Sequence, residues 1–158
     1  MAQPEKKIAS LLSGYGTIVM DTMMFIYEFQ AHPRYGLFTR PFFRLLSGGK
    51  IRALTTTITL AELLVHAYSQ GEARTAKIYR SRIANYPNLT LRPISSDLAD
   101  RAAELRAKYK LPLPDCLQMS PAGDRDVFLT NDGDLSIVEK EIPVLLIDDI
   151  MQRFELGG

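Results

Sequence analysis

Two hydrophobic periods alternate along this chain. A short apolar run, T17-I-V-M-D21, has the residues of a buried strand, and the segment after it, about 22–30, keeps a helical spacing. A second helix is expected at about 37–47, closed by Gly48 and Gly49. The order then returns: a strand from Ile51 to Thr56, a helix through T59-L-A-E-L-L-V-H-A-Y, and a further helix from Glu72 to Ala84 ended by N85-Y-P-N. Leu89 to Pro93 reads as a third strand. Ser95 or Ser96 can cap the next helix, whose apolar positions Leu98, Ala102, Leu105 and Tyr109 share one face. A Pro-bounded turn, L111-P-L-P, leads into a short helix stopped by Pro121 and Gly123, and Val127–Thr130 and Val144–Ile147 complete the strands.

Strands alternating with helices predict a mostly parallel sheet covered on both faces, a three-layer α/β/α domain. In such folds the functional crevice lies beyond the carboxyl ends of the strands, where Asp21 and Asp132 are expected to fall. At 158 residues the chain is expected to form one domain, 1–158, with a core that needs no staples.

Composition narrows the chemistry. The single cysteine, Cys116, excludes an intrachain disulfide and a Cys-based zinc cage, and His32 and His66 have no metal-ligand spacing. No window reaches membrane-spanning length and the N-terminus lacks the apolar core of a signal peptide, so no membrane partner and a cytoplasmic location are expected. The net charge of +1 conceals a division: residues 1–110 carry 16 Lys/Arg against 8 Asp/Glu, whereas residues 111–158 carry 3 against 10. From His32 to Thr56 there are five bases, Arg34, Arg40, Arg44, Lys50 and Arg52, and no acid; Arg74, Lys77, Arg80 and Arg82 follow on a second segment. Such clustering suits a polyanion, and solvated helix faces explain it equally well.

The acids carry the sharper signal. Asp21 stands between two apolar runs, and a carboxylate stranded in a core costs several kcal/mol unless something stabilises its charge. Each acid has a local explanation: Asp21 as cap of the helix from Thr22, Glu62 as partner of Thr59 in a capping box, Asp115 as cap of a helix from Cys116, Asp132 and Asp134 as turn residues in T-N-D-G-D-L. Caps, however, need not converge. The proposed topology brings these acids together at two strand ends and the first turns of two helices. Convergent carboxylates with no Lys or Arg among them raise one another's pKa unless a divalent cation holds the centre. Oxygen donors without Cys or His select Mg²⁺ or Mn²⁺.

In their order, V-M-D21-T, T-L-A-E62-L-L, L-P-D115-C-L-Q and F-L-T130-N-D132-G-D134-L resemble the motifs of the PIN-domain ribonucleases, which include the toxin subunits of VapBC-type toxin–antitoxin pairs. The resemblance spans about residues 17–136 and takes in the basic F-T-R-P-F-F-R-L-L-S-G-G segment. It implies a PIN-like domain and a Mg²⁺- or Mn²⁺-dependent endoribonuclease that hydrolyses single-stranded or structured RNA to 5′-phosphate and 3′-hydroxyl ends. Asp21, Glu62, Asp115 and Asp132 match the family's acidic quartet, with Asp21 and Asp115 as direct metal ligands and Asp134 as an additional or substitute member. Thr130 matches a hydroxyl position that orients phosphate or water. The partners implied are a protein antitoxin and a second copy of the chain in a homodimer. Because the acidic cluster repels RNA, flanking bases must hold the backbone; Arg34, Arg40 and Arg44 are the candidates.

Two features depart from the family pattern. Asn or Ser often stands two residues after the first Asp, where this chain has Met23, and the interval from Asp115 to Thr130 is short. Met23 motivates a second reading, a PIN-like scaffold that binds RNA or a partner protein without cutting. Aspartate-nucleophile phosphatases would need a second Asp at position 23, and a phosphoaspartate receiver would need a strand-terminal Lys that Lys140 does not supply. His66 reads as a surface or partly buried packing residue, not a ligand, and Cys116 as a packing residue.

Overall fold

The computed structural model describes residues 1–157. Its centre is a sheet of five parallel strands, β1 (Ile18–Met20), β2 (Ala53–Thr56), β3 (Leu89–Arg92), β4 (Val127–Thr130) and β5 (Val144–Leu146), in the order β3-β2-β1-β4-β5. Helix α1 (Gln3–Leu12) precedes the sheet. The crossovers are α2 (Thr22–Phe29) with α3 (Gly36–Ser47), α4 (Thr57–Ser69) with α5 (Ala73–Ala84), and α6 (Ser96–Tyr109) with α7 (Leu113–Met119). A 3₁₀ turn at Gly133–Val138 joins β4 to β5, and α8 (Ile147–Arg153) follows. From β1 the sheet grows one way through β2 and β3, then the other way through β4 and β5. At this reversal the loops after β1 and β4 lead to opposite sides and leave a crevice between them.

The expected three layers are present because both faces of the sheet carry apolar side chains. Ile18, Met20, Val127 and Leu129 pack into one core with Phe25, Phe38, Phe42 and Phe43. Val19 and Phe128, one position out of phase, enter the other core with Ala102, Leu105, Cys116 and Met119. Cys116 is thus a core residue, as expected.

Several boundaries correct the sequence reading. Helix α4 begins before Thr59: Thr56 is its N-cap, its hydroxyl accepting the Ile58 N–H at 3.2 Å. Thr59 is consequently inside the helix and fully buried, and the capping box with Glu62 does not form. Helix α7 begins at Leu113, so Asp115 lies in its first turn and does not cap it. Asp21, by contrast, does cap α2 by accepting the Thr22 N–H at 2.8 Å. Helices α1 and α8 lie outside the elements the sequence predicts, and the turn expected in T-N-D-G-D-L runs on as a 3₁₀ helix to Val138.

One tie outside the crevice has a measurable consequence. Glu141, just before β5, accepts hydrogen bonds from Lys108 Nζ (2.7 Å), Tyr109 Oη and Arg101 Nη1 (3.3 Å), tying the end of α6 to the sheet. The Lys108 bond, then the Tyr109 bond, holds the Glu141 carboxyl down at about 2, against an ordinary 4.5. A lowered carboxyl stabilises the fold above its ordinary pKa and ceases to do so as pH falls toward the folded value. Glu141→Gln should therefore cost about 1 kcal/mol or less at neutral pH, as expected for a partly solvated network. Melting curves of the two proteins should converge between about pH 4.5 and pH 2.5. A difference that grows on acidification would contradict this role.

Candidate active site

The crevice at the reversal contains a cavity of about 520 Å³. Asp21, directly after β1, reaches it with Glu62 from the second turn of α4, Asp115 from the first turn of α7, and Asp132 from the loop after β4. Four separate elements thus bring four of the five sequence-selected acids to one cavity. Among the described residues no Lys or Arg lines it; its other walls include Met23, Ile26, Val65 and His66.

Asp21 is 9% exposed and held at both oxygens. Oδ1 accepts the Thr22 N–H, and Oδ2 accepts the Thr130 hydroxyl at 2.7 Å. Thr130 is itself fully buried and accepts the Asp132 N–H at 3.1 Å, so its proton faces Asp21. In this arrangement Thr130 acts on a carboxylate and on the loop that carries Asp132. Glu62 stands at the more exposed mouth, where the Thr22 hydroxyl donates to its Oε1 at 3.0 Å. Asp134 is exposed and outside the cavity wall; its N–H donates to Asp132 Oδ1 at 3.0 Å, which fixes the turn and the Asp132 side chain.

The charges are uncompensated. Burial raises the Asp21 carboxyl against the opposing pull of Thr130 and Thr22, and Asp132 raises it further. Burial also raises Glu62, with a contribution from Asp21. Asp115 is pushed from 3.8 to about 6, first by burial and then by Asp21, Asp132 and Glu62. Burial leads in all three, and mutual repulsion of the converging acids adds to it. Among the described residues no three carboxylates already stand close enough to clasp an ion. The fit to a hard divalent cation rests on the four carboxylates, which offer oxygen only, and on the negative charge left without a partner.

The three arginines lie elsewhere. Arg34 pairs with Asp148 at 3.4 Å; the Asp148 N–H donates to Asn131 Oδ1, and Asn131 adjoins Asp132. Arg40 and Arg44 lie beside the start of α1, where Arg44 approaches Glu5 at 3.7 Å. None of the three lines the acidic cavity. His66 does, at its rim, with Nε2 at 3.0 Å from Gln30 Nε2.

The sequence reading missed what lies beneath the acids. Thr22, Thr55, Thr56, Thr59 and Gln118 are all buried and form a connected hydrogen-bonded layer. Its signal was present in the threonine run T55-T-T-I-T and in Gln118, three residues after Asp115 on the same helix face.

Fold and site together define a parallel α/β domain with an all-carboxylate cavity at its topological switch point. A family model described as PIN domain matches residues 18–141, and the chain belongs to the PIN domain family. Solved structures share the fold. A chain of a toxin–antitoxin complex from Klebsiella pneumoniae superposes with a TM-score of 0.61 at 22% identity, covering 84% of this chain and 98% of the other. DNA-bound VapBC from Salmonella typhimurium gives 0.65 at 19% identity, covering 84% and 98%. VapBC2 from Rickettsia felis, bound to a DNA fragment from their promoter, gives 0.60 at 18%, covering 83% and 98%. No curated protein matches this sequence.

Proposed function

We propose that this chain is a Mg²⁺- or Mn²⁺-dependent endoribonuclease that hydrolyses RNA phosphodiester bonds and serves as the toxin of a type II toxin–antitoxin pair. The observation that carries this reading is the convergence of Asp21, Glu62, Asp115 and Asp132 on a cavity whose described walls hold no Lys or Arg. A divalent ion supplies activation of water and neutralisation of the phosphate's charge. Asp21 and Asp115 would hold it, with Glu62 and Asp132 completing the set. Thr130 and the Thr22 N–H keep both Asp21 oxygens oriented. Asp134 acts through the turn that fixes Asp132. Of the three arginines, Arg34 is the one the fold links to the acidic loop, through Asp148 and Asn131, and we assign it to the RNA backbone.

An antitoxin partner is supported by the likeness to chains of toxin–antitoxin complexes. The apolar lip of the cavity adds to this, with Val65 63% exposed beside Met23 and Ile26. The homodimer rests on family resemblance. Among the described residues no helix is long and apolar enough to cross a membrane.

The test is cleavage of an end-labelled single-stranded RNA with Mg²⁺, Mn²⁺ or EDTA, comparing the protein with Asp21→Asn. Metal-dependent cutting that disappears in the variant is the expected result. Retention of RNA by both proteins with cutting by neither would overturn the nuclease and favour a binding scaffold.

A further inference from the structure

Gln118 is 1% exposed, and every polar atom of its side chain is engaged. Its Oε1 accepts the Thr56 hydroxyl. Its Nε2 lies 2.9 Å from Thr22 Oγ1 and 2.7 Å from Thr59 Oγ1 and donates to both. A hydroxyl has one proton to give, so what it accepts limits where that proton can go. Thr56 Oγ1 already accepts the Ile58 N–H and gives its proton to Gln118. Thr22 Oγ1 accepts from Gln118 and has two neighbours for its proton, Glu62 Oε1 at 3.0 Å and Thr59 Oγ1 at 3.2 Å; Thr59 already accepts from Gln118, and the nearer carboxylate is the stronger acceptor. A reversed amide would place an acceptor against Thr22 and compete for the proton that Glu62 receives.

We propose that Gln118 is a positioning residue for the divalent-ion site: its amide commits the Thr22 hydroxyl to Glu62 and so holds that carboxylate in the cavity with Asp21 and Asp115. The inference rests on the nuclease reading and deepens it. Position 23, where the family often has a polar side chain, is Met23 in the cavity wall; here the polar support comes from below, through α7. Only a side chain with two donors and one acceptor at this reach completes the pattern. Gln118→Glu would leave mainly acceptors at this position and Gln118→Met would leave no donor, so neither side chain replaces the amide.

The test is a double-mutant cycle on Mn²⁺ affinity, read from the spin-resonance signal of free Mn²⁺ with the metal-free protein, using Gln118→Met, Thr22→Val and both together. Each single variant should weaken Mn²⁺ binding by about 10-fold, the lower end of what outer-shell partners of a metal site contribute. The double variant should be no weaker than the poorer single, because both break one relay. Thr22→Ser, which keeps the hydroxyl, should retain the wild-type affinity. If Gln118→Met does not fold, Gln118→Asn, whose amide is one methylene too short to span Thr56 and Thr22, takes its place in the cycle with the same expectation. Unchanged affinity in the Gln118 variant, or losses that multiply in the double, would overturn the role of Gln118. A wild-type protein that takes up no Mn²⁺ would overturn the metal reading itself and this inference with it.

Discussion

Asp115→Asn is expected to abolish metal-dependent RNA cleavage and, in the same protein, to raise the melting temperature of the metal-free form. The first effect follows from removing a direct ligand, and should exceed the 10- to 100-fold typical of outer-shell partners, reaching about 100-fold or more. The second follows from burial of the charge, reinforced by repulsion. The folded state pushes the Asp115 carboxyl from 3.8 to about 6, first by burial and then through Asp21, Asp132 and Glu62. A carboxyl with a raised folded pKa holds its proton more tightly folded than unfolded. Stability is therefore highest below about pH 4, falls as pH rises through about 6, and stays lowered at neutral pH. A two-unit shift corresponds to about 3 kcal/mol unscreened, and solvent at this half-exposed group reduces it to about 1 kcal/mol. Asn carries no charge and escapes the cost, so Asp115→Asn should melt about 2–4 °C higher than wild type in EDTA at neutral pH. Below about pH 4, where the carboxyl is protonated folded and unfolded alike, the two should coincide. Differential scanning fluorimetry with and without Mn²⁺ reads both halves, since Mn²⁺ should stabilise wild type far more than the variant. A metal-free variant less stable than wild type at neutral pH would contradict the cost of burying this carboxylate among other acids.

Phe25→Ala is expected to be among the most destabilising single changes in the protein. Phe25 is fully buried on α2, one turn beyond Asp21, and meets Phe29 and Phe43 edge-to-face at 6.0 and 5.6 Å between ring centres. Truncation removes a large apolar side chain and leaves a cavity that close-packed neighbours fill only in part, a loss of about 3–5 kcal/mol. Because α2 starts at the Asp21 cap, the change should also loosen the first carboxylate. Denaturant unfolding should show a lower midpoint with an unchanged slope. Leu37→Ala, on α3 at a position 42% exposed, is the comparison and should cost about 0.5 kcal/mol or less. A loss below about 1 kcal/mol at Phe25 would contradict the packing described here.

How far the sequence could be read depended on the kind of interaction. The strands were legible because apolar runs bounded by turn residues have few alternatives; β4 occupies Val127–Thr130 as expected. Convergence of Asp21, Glu62, Asp115 and Asp132 was legible because strand ends in a parallel sheet share one edge. The start of α4 was not. In T55-T-T-I-T either Thr56 or Thr59 offers a capping hydroxyl, and the choice was settled by the buried layer that engages Thr59 with Gln118 and Thr55. The Glu141 network was likewise invisible, since its partners lie 32 to 40 residues away along the chain. Charge along the chain also differs from charge in space. Arg34, Arg40 and Arg44 are neighbours in sequence, yet Arg34 faces Asp148 while Arg40 and Arg44 lie beside α1.

The most direct measurement is an anomalous difference map from crystals grown with Mn²⁺. The account predicts a peak in the cavity between Asp21 and Asp115, absent from crystals of Asp21→Asn grown in the same way. Well-ordered carboxylates with no peak between them, or a peak that persists unchanged in Asp21→Asn, would contradict it.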